Sequence, residues 1–223
     1  MSDSPARYVL FDVDGLLLDT EIVYTRVTQG IVSRFGKTFD WSIKANMIGR
    51  AEAESSRYLV EALDLPITAE EYLVERNDRL KEGFATCDAM PGAEALVRHL
   101  HGSGIPIAVA TSSTRELFEI KITRHVHWFN LFDTTVSGDD PEIRQAKPAP
   151  DIFLTAASRL DANPAETLVF EDAPSGLTAG IAAGMRVIAI PDPNMDRDRY
   201  RGATQILDNL NQFDPAKFGL PAR

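Results

Sequence analysis

A chain of 223 residues, 44% hydrophobic and 25% charged, can bury a sizeable core and has the composition of an ordinary globular protein. Its 33 acidic against 23 basic residues (net charge −10) argue against wrapping nucleic acid, which needs basic stripes; a small phosphorylated ligand stays open, because a metal and a cation or two reverse the field locally. The single cysteine, Cys87, excludes an internal disulfide framework, no apolar run of about 18 residues offers a membrane span, and "MSDSPAR" at the start lacks the apolar core of a secretory signal. The expectation is a cytoplasmic protein without nucleic-acid or membrane partners, and nothing in the sequence demands more than a monomer.

The first apolar strand is "YVLF", residues 8–11, inside the longer run "VLFDVDGLLLDT". It ends in Asp12 and Asp14 with one residue between them. Buried like charges are costly unless a cation, a shared proton or hydrogen bonds compensate. Either the pair is a solvated acidic turn bent at Gly15, or it is a metal site or an activated carboxylate. Residues 16–86 then carry helical patterns without a strand. "TEIVYTRVTQGIVSRFG" predicts a helix with Thr20 as N-cap and Gly36 at its end. "AEAESSRYLVEALDLP" predicts a second, stopped before Pro66, and "TAEEYLVERNDRLKEGF" a third, where Thr68 and Glu71 form a capping-box pattern. The prediction is an inserted helical domain over 16–86 and a core built from 1–15 and 87–223.

"MPGAEAL" marks the return to the core, with Pro91 suited to a helix start. Strands are predicted at 105–111, 134–136, 167–171, 186–190 and 204–207, several of them nearly continuous in apolar residues. Amphipathic stretches such as "GAEALVRHLHGSG" and "PDIFLTAASRLD" alternate with them. This is the pattern of an α/β protein with a doubly wound, mainly parallel sheet.

Ligands of such sheets bind beyond the carboxyl ends of the strands. Those ends carry Asp12 and Asp14, then Thr111 with Ser112 and Ser113, then Glu171 and Asp172. Each group alone has a plain explanation: an acidic turn, a helix cap, a loop start before Pro174. Together they make a site. The carboxylates suit magnesium and lack the imidazole and thiolate partners that zinc favours. Hydroxyls and backbone N–H groups at a helix start suit a phosphate. A phosphoryl group among carboxylates needs a further cation, and Lys147 in "QAKPAPDIF" is the candidate, stiffened by Pro148 ahead of a helix predicted from Pro150. Cys87 and the pair His125 and His127 read as structural.

"DVDGLLLDT", "VATSS", "KPAP" and "VFEDA", in this order, resemble the motifs of the haloacid dehalogenase-like (HAD) hydrolase superfamily over essentially the whole chain. "MPGAE", "GIPIAVATSS", "SGDDPEI", "AAGM" and "FGLP" further resemble the pseudouridine-5′-phosphatase group, which adjoins phosphatases of glycerol phosphate and deoxysugar phosphates. The resemblance implies a Rossmann-like core with a helical cap and a Mg²⁺-dependent phosphatase of small phosphorylated metabolites. It implies Asp12 as the nucleophile that becomes an aspartyl-phosphate, and Asp14 as the acid/base, its backbone carbonyl facing the metal. Asp12, Asp14, Asp172 and Glu171 would serve the metal; Thr111, the Ser112 N–H and Lys147 would hold the phosphoryl oxygens. In the cap, Glu21, Tyr24, Asn46 and Arg50 are candidate substrate contacts, and each reads equally as ordinary helix surface.

The nearest rival is a β-phosphoglucomutase-like enzyme with the same Asp pair, which returns the phosphoryl group to a sugar. A more distant rival is a phospho-accepting receiver-type domain. There, however, the acceptor aspartate ends a later strand and no helical insertion comes after the first. A dinucleotide-binding domain fails because no G-x-G-x-x-G follows the first strand.

Overall fold

Strand β1 (Tyr8–Phe11) opens the chain's regular structure in the computed structural model, which describes residues 4–47 and 52–223. Four helices follow: α1 (Thr20–Ser33), α2 (Trp41–Met47), α3 (Glu52–Ala62) and α4 (Ala69–Phe84). The chain continues through α5 (Ala93–Gly102), β2 (Ile107–Ala110), α6 (Arg115–Lys121), α7 (Val126–Phe129) and β3 (Thr134–Val136). Then come α8 (Asp151–Arg159), β4 (Thr167–Glu171), α9 (Pro174–Ala182), β5 (Arg186–Ala189) and β6 (Gln205–Ile206). Two compact units result, one of Met1–Asp19 with Asp88–Arg223 and one of Thr20–Cys87.

The first unit is an α/β fold. Its six strands form one parallel sheet in the order β3-β2-β1-β4-β5-β6. Successive strand side chains point to opposite faces, and the core obeys that alternation. Leu10, Ala108, Ala110, Val169, Val187 and Ala189 share a buried cluster with Ile152 and Phe153 of α8 and Leu177 of α9. On the alternate positions the Phe11 and Phe170 rings stack at 4.9 Å. The order reverses at β1, whose neighbours are β2 on one side and β4 on the other. That switch point is where an open α/β sheet leaves a crevice at its carboxyl edge. Register pairs Phe11 with Phe170, so the next residues, Asp12 and Glu171, stand side by side at the carboxyl edge of the sheet.

Among its described residues the regular structure of the second unit is helical, with Ile31, Val32, Phe39, Leu59, Leu65 and Tyr72 buried together. Thr68 and Glu71 form the capping box at the head of α4. Three local expectations change. Helix α2 has no counterpart among the predicted elements; it buries none of its residues, and its start is held by Asp40 Oδ1, which accepts from the N–H groups of Ser42 (2.9 Å) and Ile43 (3.3 Å). Thr20 is the first residue of α1 rather than its cap, and its buried Oγ1 has no hydrogen-bond partner among the described residues. The cap of α6 is Thr114, whose Oγ1 accepts from Leu117 N–H. Among the described residues no helix is long and apolar enough to cross a membrane.

Candidate active site

Beyond β1 the chain turns at once. Gly15 takes a φ of +77°, a region that L side chains rarely adopt, and the Val13 carbonyl accepts from Leu17 and Leu18 at 3.0 Å each. The tight loop buries Leu16, Leu17 and Leu18, which anchors Asp12 and Asp14 at the sheet's rim. The Asp12 N–H still donates to the Phe170 carbonyl (3.1 Å), so its backbone belongs to the sheet ladder.

Lys147 meets Asp12 from the far side. Its Nζ donates to Asp12 Oδ1 (2.6 Å), to Glu171 Oε1 (2.6 Å) and to the Ala110 carbonyl (3.1 Å), which uses all three ammonium protons. Its side chain is only 6% exposed. The approach is braced: Asp151 Oδ2 accepts from the N–H groups of Arg144 and Gln145, and Arg159 holds Asp140 and Glu142. Glu171 is fixed in turn, because its Oε2 accepts from Ala173 N–H (3.1 Å) at the head of α9. Gly176 packs directly against it: a Cβ there would lie 1.8 Å from Glu171 Oε1.

These contacts set the protonation balance. Burial raises the Asp12 carboxyl and Lys147 pulls it back; Glu171 and Asp14 push it up again, leaving it at about 7. Burial works against the Lys147 ammonium, but Asp12 and Glu171 outweigh it and hold the lysine above its ordinary range. The ammonium is therefore a fixed charge, and Asp12 is the group whose state changes near neutrality.

Asp14 is held differently. Its Oδ2 accepts from Ser113 Oγ (2.9 Å) and, more loosely, from Thr111 Oγ1 (3.5 Å); its Oδ1 accepts from Lys121 Nζ at 2.5 Å. Thr111 is fully buried and its Oγ1 also accepts from Ser113 N–H, whereas Ser112 is exposed at the rim.

Asp12, Glu171 and Asp172 offer carboxylate oxygens within 4.8 Å of one another. Among these side chains and Lys147, three carboxylates face one ammonium. That excess of negative charge is what a divalent cation would neutralise. The donor set is all oxygen, which fits a hard ion such as magnesium and not a thiolate- or imidazole-seeking one. The Asp14 carboxylate is not part of this set, being turned to Lys121 and Ser113. Tyr200 supports the rim by donating its OH to the Asp172 carbonyl, and burial first, then Asp172, raises that phenol.

The other expected residues lie in the helical unit or outside the description. Glu21 pairs with Lys44 (2.9 Å), Tyr24 packs edge-on against Phe84 with Arg76 over its ring, and exposed Asn46 donates to the Ser42 carbonyl. Arg50 lies outside the described residues. His127 approaches Glu94 and His125 approaches Trp128, away from the strand ends. Lys121 and Tyr200 join the site without any signal in the sequence motifs.

Residues 6–184 match the family model of the haloacid dehalogenase-like hydrolases. The chain is 47% identical over 220 residues to (DL)-glycerol-3-phosphatase 1, mitochondrial, of Arabidopsis thaliana, covering 96% of this chain and 74% of that protein. It is 43% identical over 218 residues to a Drosophila melanogaster protein named as a probable pseudouridine-5′-phosphatase, covering 96% and 94%. Among solved structures, a HAD family hydrolase from Deinococcus radiodurans superposes with a TM-score of 0.83 at 24% identity, covering 99% of this chain and 100% of that one, a likeness of fold.

Proposed function

The chain belongs to the haloacid dehalogenase-like hydrolase family, and on that premise we propose that this phosphoric monoester hydrolase is Mg²⁺-dependent and works through an aspartyl-phosphate on Asp12. Its substrate is a small phosphorylated metabolite, either a pseudouridine 5′-phosphate-like nucleotide or a polyol or sugar phosphate. The observation that carries the reading is Asp12 at the end of β1, 2.6 Å from a buried lysine and clustered with Glu171 and Asp172.

In the first step an Asp12 carboxylate oxygen forms a bond to phosphorus as the ester P–O bond breaks, and Asp14 gives its proton to the departing alcohol oxygen. In the second, Asp14 takes a proton from water; the water oxygen bonds to phosphorus, the Asp12–phosphorus link breaks, and inorganic phosphate leaves. Lys147 fixes Asp12 and sets a positive charge beside the transferring group. Thr111 and the Ser112 N–H are assigned to the phosphoryl oxygens. Asp12, Asp172 and the Asp14 carbonyl are assigned to the metal, with Glu171 as an additional ligand or the group that orders a metal-bound water, while it also holds Lys147. A bound divalent ion supplies charge that lowers the repulsion between the carboxylate nucleophile and the phosphate. The core and the cap are assigned to the α/β unit and the helical unit, and the choice of leaving group to the cap, with Glu21, Tyr24, Asn46 and Arg50 its candidate contacts.

The test is phosphate release with Mg²⁺ from pseudouridine 5′-phosphate, glycerol phosphate, deoxyglucose 6-phosphate, mononucleotides and β-glucose 1-phosphate. Release from at least one of the first four supports the reading. Glucose 6-phosphate formed from glucose 1-phosphate, without free phosphate, would replace it by the mutase. In the same assay Asp14→Asn should slow hydrolysis of alkyl esters by about 10²–10⁴-fold, the usual range for a lost general acid.

Metal binding carries its own pH signature. A protonated Asp12 cannot ligate, so below about 7 binding must displace a proton. Apparent Mg²⁺ affinity should therefore fall roughly tenfold per pH unit below neutrality and level off above it. Calorimetric titrations at pH 5.5 and 8 in buffers of different ionisation heat would count the proton. An affinity independent of pH would remove Asp12 from the metal.

A further inference from the structure

Helix α6 turns two residues into the protein, Phe118 and Lys121, one turn apart on the same face. A phenylalanine there is ordinary. A lysine with 1% of its side chain exposed is not, because a buried ammonium is costly unless paired, and an apolar side chain would fill the place at no such cost. The lysine reaches across the sheet's rim to a residue 107 positions away. Its Nζ donates to Asp14 Oδ1 (2.5 Å) and to Ser113 Oγ (2.7 Å), while Ser113 Oγ donates to Asp14 Oδ2 (2.9 Å). The three side chains close a triangle. Each carboxylate oxygen of Asp14 has its own donor, so the carboxylate plane is fixed, yet the side chain stays 25% exposed.

We propose that Lys121, through this triangle with Ser113, is a positioning residue that aims the Asp14 carboxyl at the leaving-group oxygen; the proposal rests on the phosphatase reading above. Lys121 touches neither substrate nor metal. It acts only through Asp14, so its removal loosens the proton donor and leaves the Asp12, Lys147 and Asp172 cluster standing.

Comparing two leaving groups tests this. An alkyl ester such as glycerol 3-phosphate needs its oxygen protonated as it leaves, whereas p-nitrophenol departs readily as the anion. Lys121→Met keeps the bulk of the side chain and removes the ammonium. It should lower kcat for the alkyl ester about 10–100-fold, the range typical of lost orienting partners, with KM little changed. For p-nitrophenyl phosphate the loss should stay below about threefold, since a good leaving group asks little of the acid. In an Asp14→Asn background, Lys121→Met should no longer alter the ratio of alkyl to aryl rates. Ser113→Ala, which removes the nearer donor of Oδ2 and leaves Lys121 on Oδ1, should give a smaller selective loss and serves if Lys121→Met does not fold.

A uniform loss on both esters would overturn the proposal, as would an undiminished effect of Lys121→Met in the Asp14→Asn background. If the unmodified enzyme releases phosphate from none of the substrates named above, the phosphatase reading itself fails; if Asp14→Asn leaves the alkyl-to-aryl ratio unchanged, the acid role of Asp14 fails. The role of Lys121 then falls with it.

Discussion

Asp12→Asn should remove turnover by at least about 10⁴-fold, as loss of a covalent nucleophile does, and leave the fold intact. The substitution is isosteric in a side chain that is almost wholly buried. Asn offers no carboxylate oxygen to phosphorus, so the first bond cannot form. Stability should move the other way. Burial holds the Asp12 carboxyl at about 7 against an ordinary 3.8, so the fold prefers the neutral form. That preference contributes stability in full below 3.8 and loses it as pH rises to about 7. Above neutrality the metal-free enzyme carries the cost of an ionised Asp12 and the amide does not. Lys147 keeps Glu171 Oε1 and the Ala110 carbonyl as acceptors in the variant. Without magnesium, Asp12→Asn should therefore unfold at an equal or higher temperature at pH 8, the gain shrinking toward pH 5. Phosphate release and thermal unfolding on one preparation decide the matter. Residual activity above about 1% in a folded variant is far more than a lost nucleophile leaves and would remove Asp12 from that role.

Much of this site is legible in the chain because strand ends are legible. Apolar runs at 8–11, 107–110 and 167–171 mark buried parallel strands, and the residues that end each run or directly follow it must lie at one rim of the sheet. Asp12, Asp14, Thr111, Glu171 and Asp172 are found that way, and Lys147 by its prolines. Helix α2 escapes the same reading because "WSIKANM" is only seven residues long and buries none of them fully. Ile43 and Met47, one turn apart, pack against the helical unit's core, too short a stripe to stand out beside the side-chain cap at Asp40. Lys121 is hidden for a different reason. In sequence it is a basic residue in the last turn of a short helix, where a solvated lysine is common. Its burial becomes visible only when the strand order places α6 beside the end of β1. Tyr200 sits in the polar run "DRDRYRG" and gains meaning only from the Asp172 carbonyl it meets. Contacts that depend on which elements become neighbours have no local pattern.

Gly176→Ala is the sharpest test of how the site is held, because it adds one methyl to a residue that touches neither substrate nor metal. The methyl would fall 1.8 Å from Glu171 Oε1 and 1.9 Å from its Cδ, inside a buried pocket. Helix propensity alone would favour alanine by up to about 1 kcal/mol. Overpacking a buried site costs about 1–3 kcal/mol, and the carboxylate can make room only by leaving Ala173 N–H and Lys147, a pair whose disruption adds to the loss. A net destabilisation of about 2–4 kcal/mol results from these terms. Lys147 would then lose one of its two carboxylates and Asp12 its fixed partner, so kcat should fall about 100-fold, at the upper end for lost orienting contacts. The cause is separable from a general packing defect by a second change. In a Glu171→Ala background the space is empty, the clash is gone, and Gly176→Ala should be neutral or stabilising by up to about 1 kcal/mol. Denaturant unfolding of the four proteins measures the coupling. If the penalty of the methyl persists without the carboxylate, then the space at Gly176 serves the packing of α9 itself, and the fixing of Lys147 by Glu171 does not depend on it.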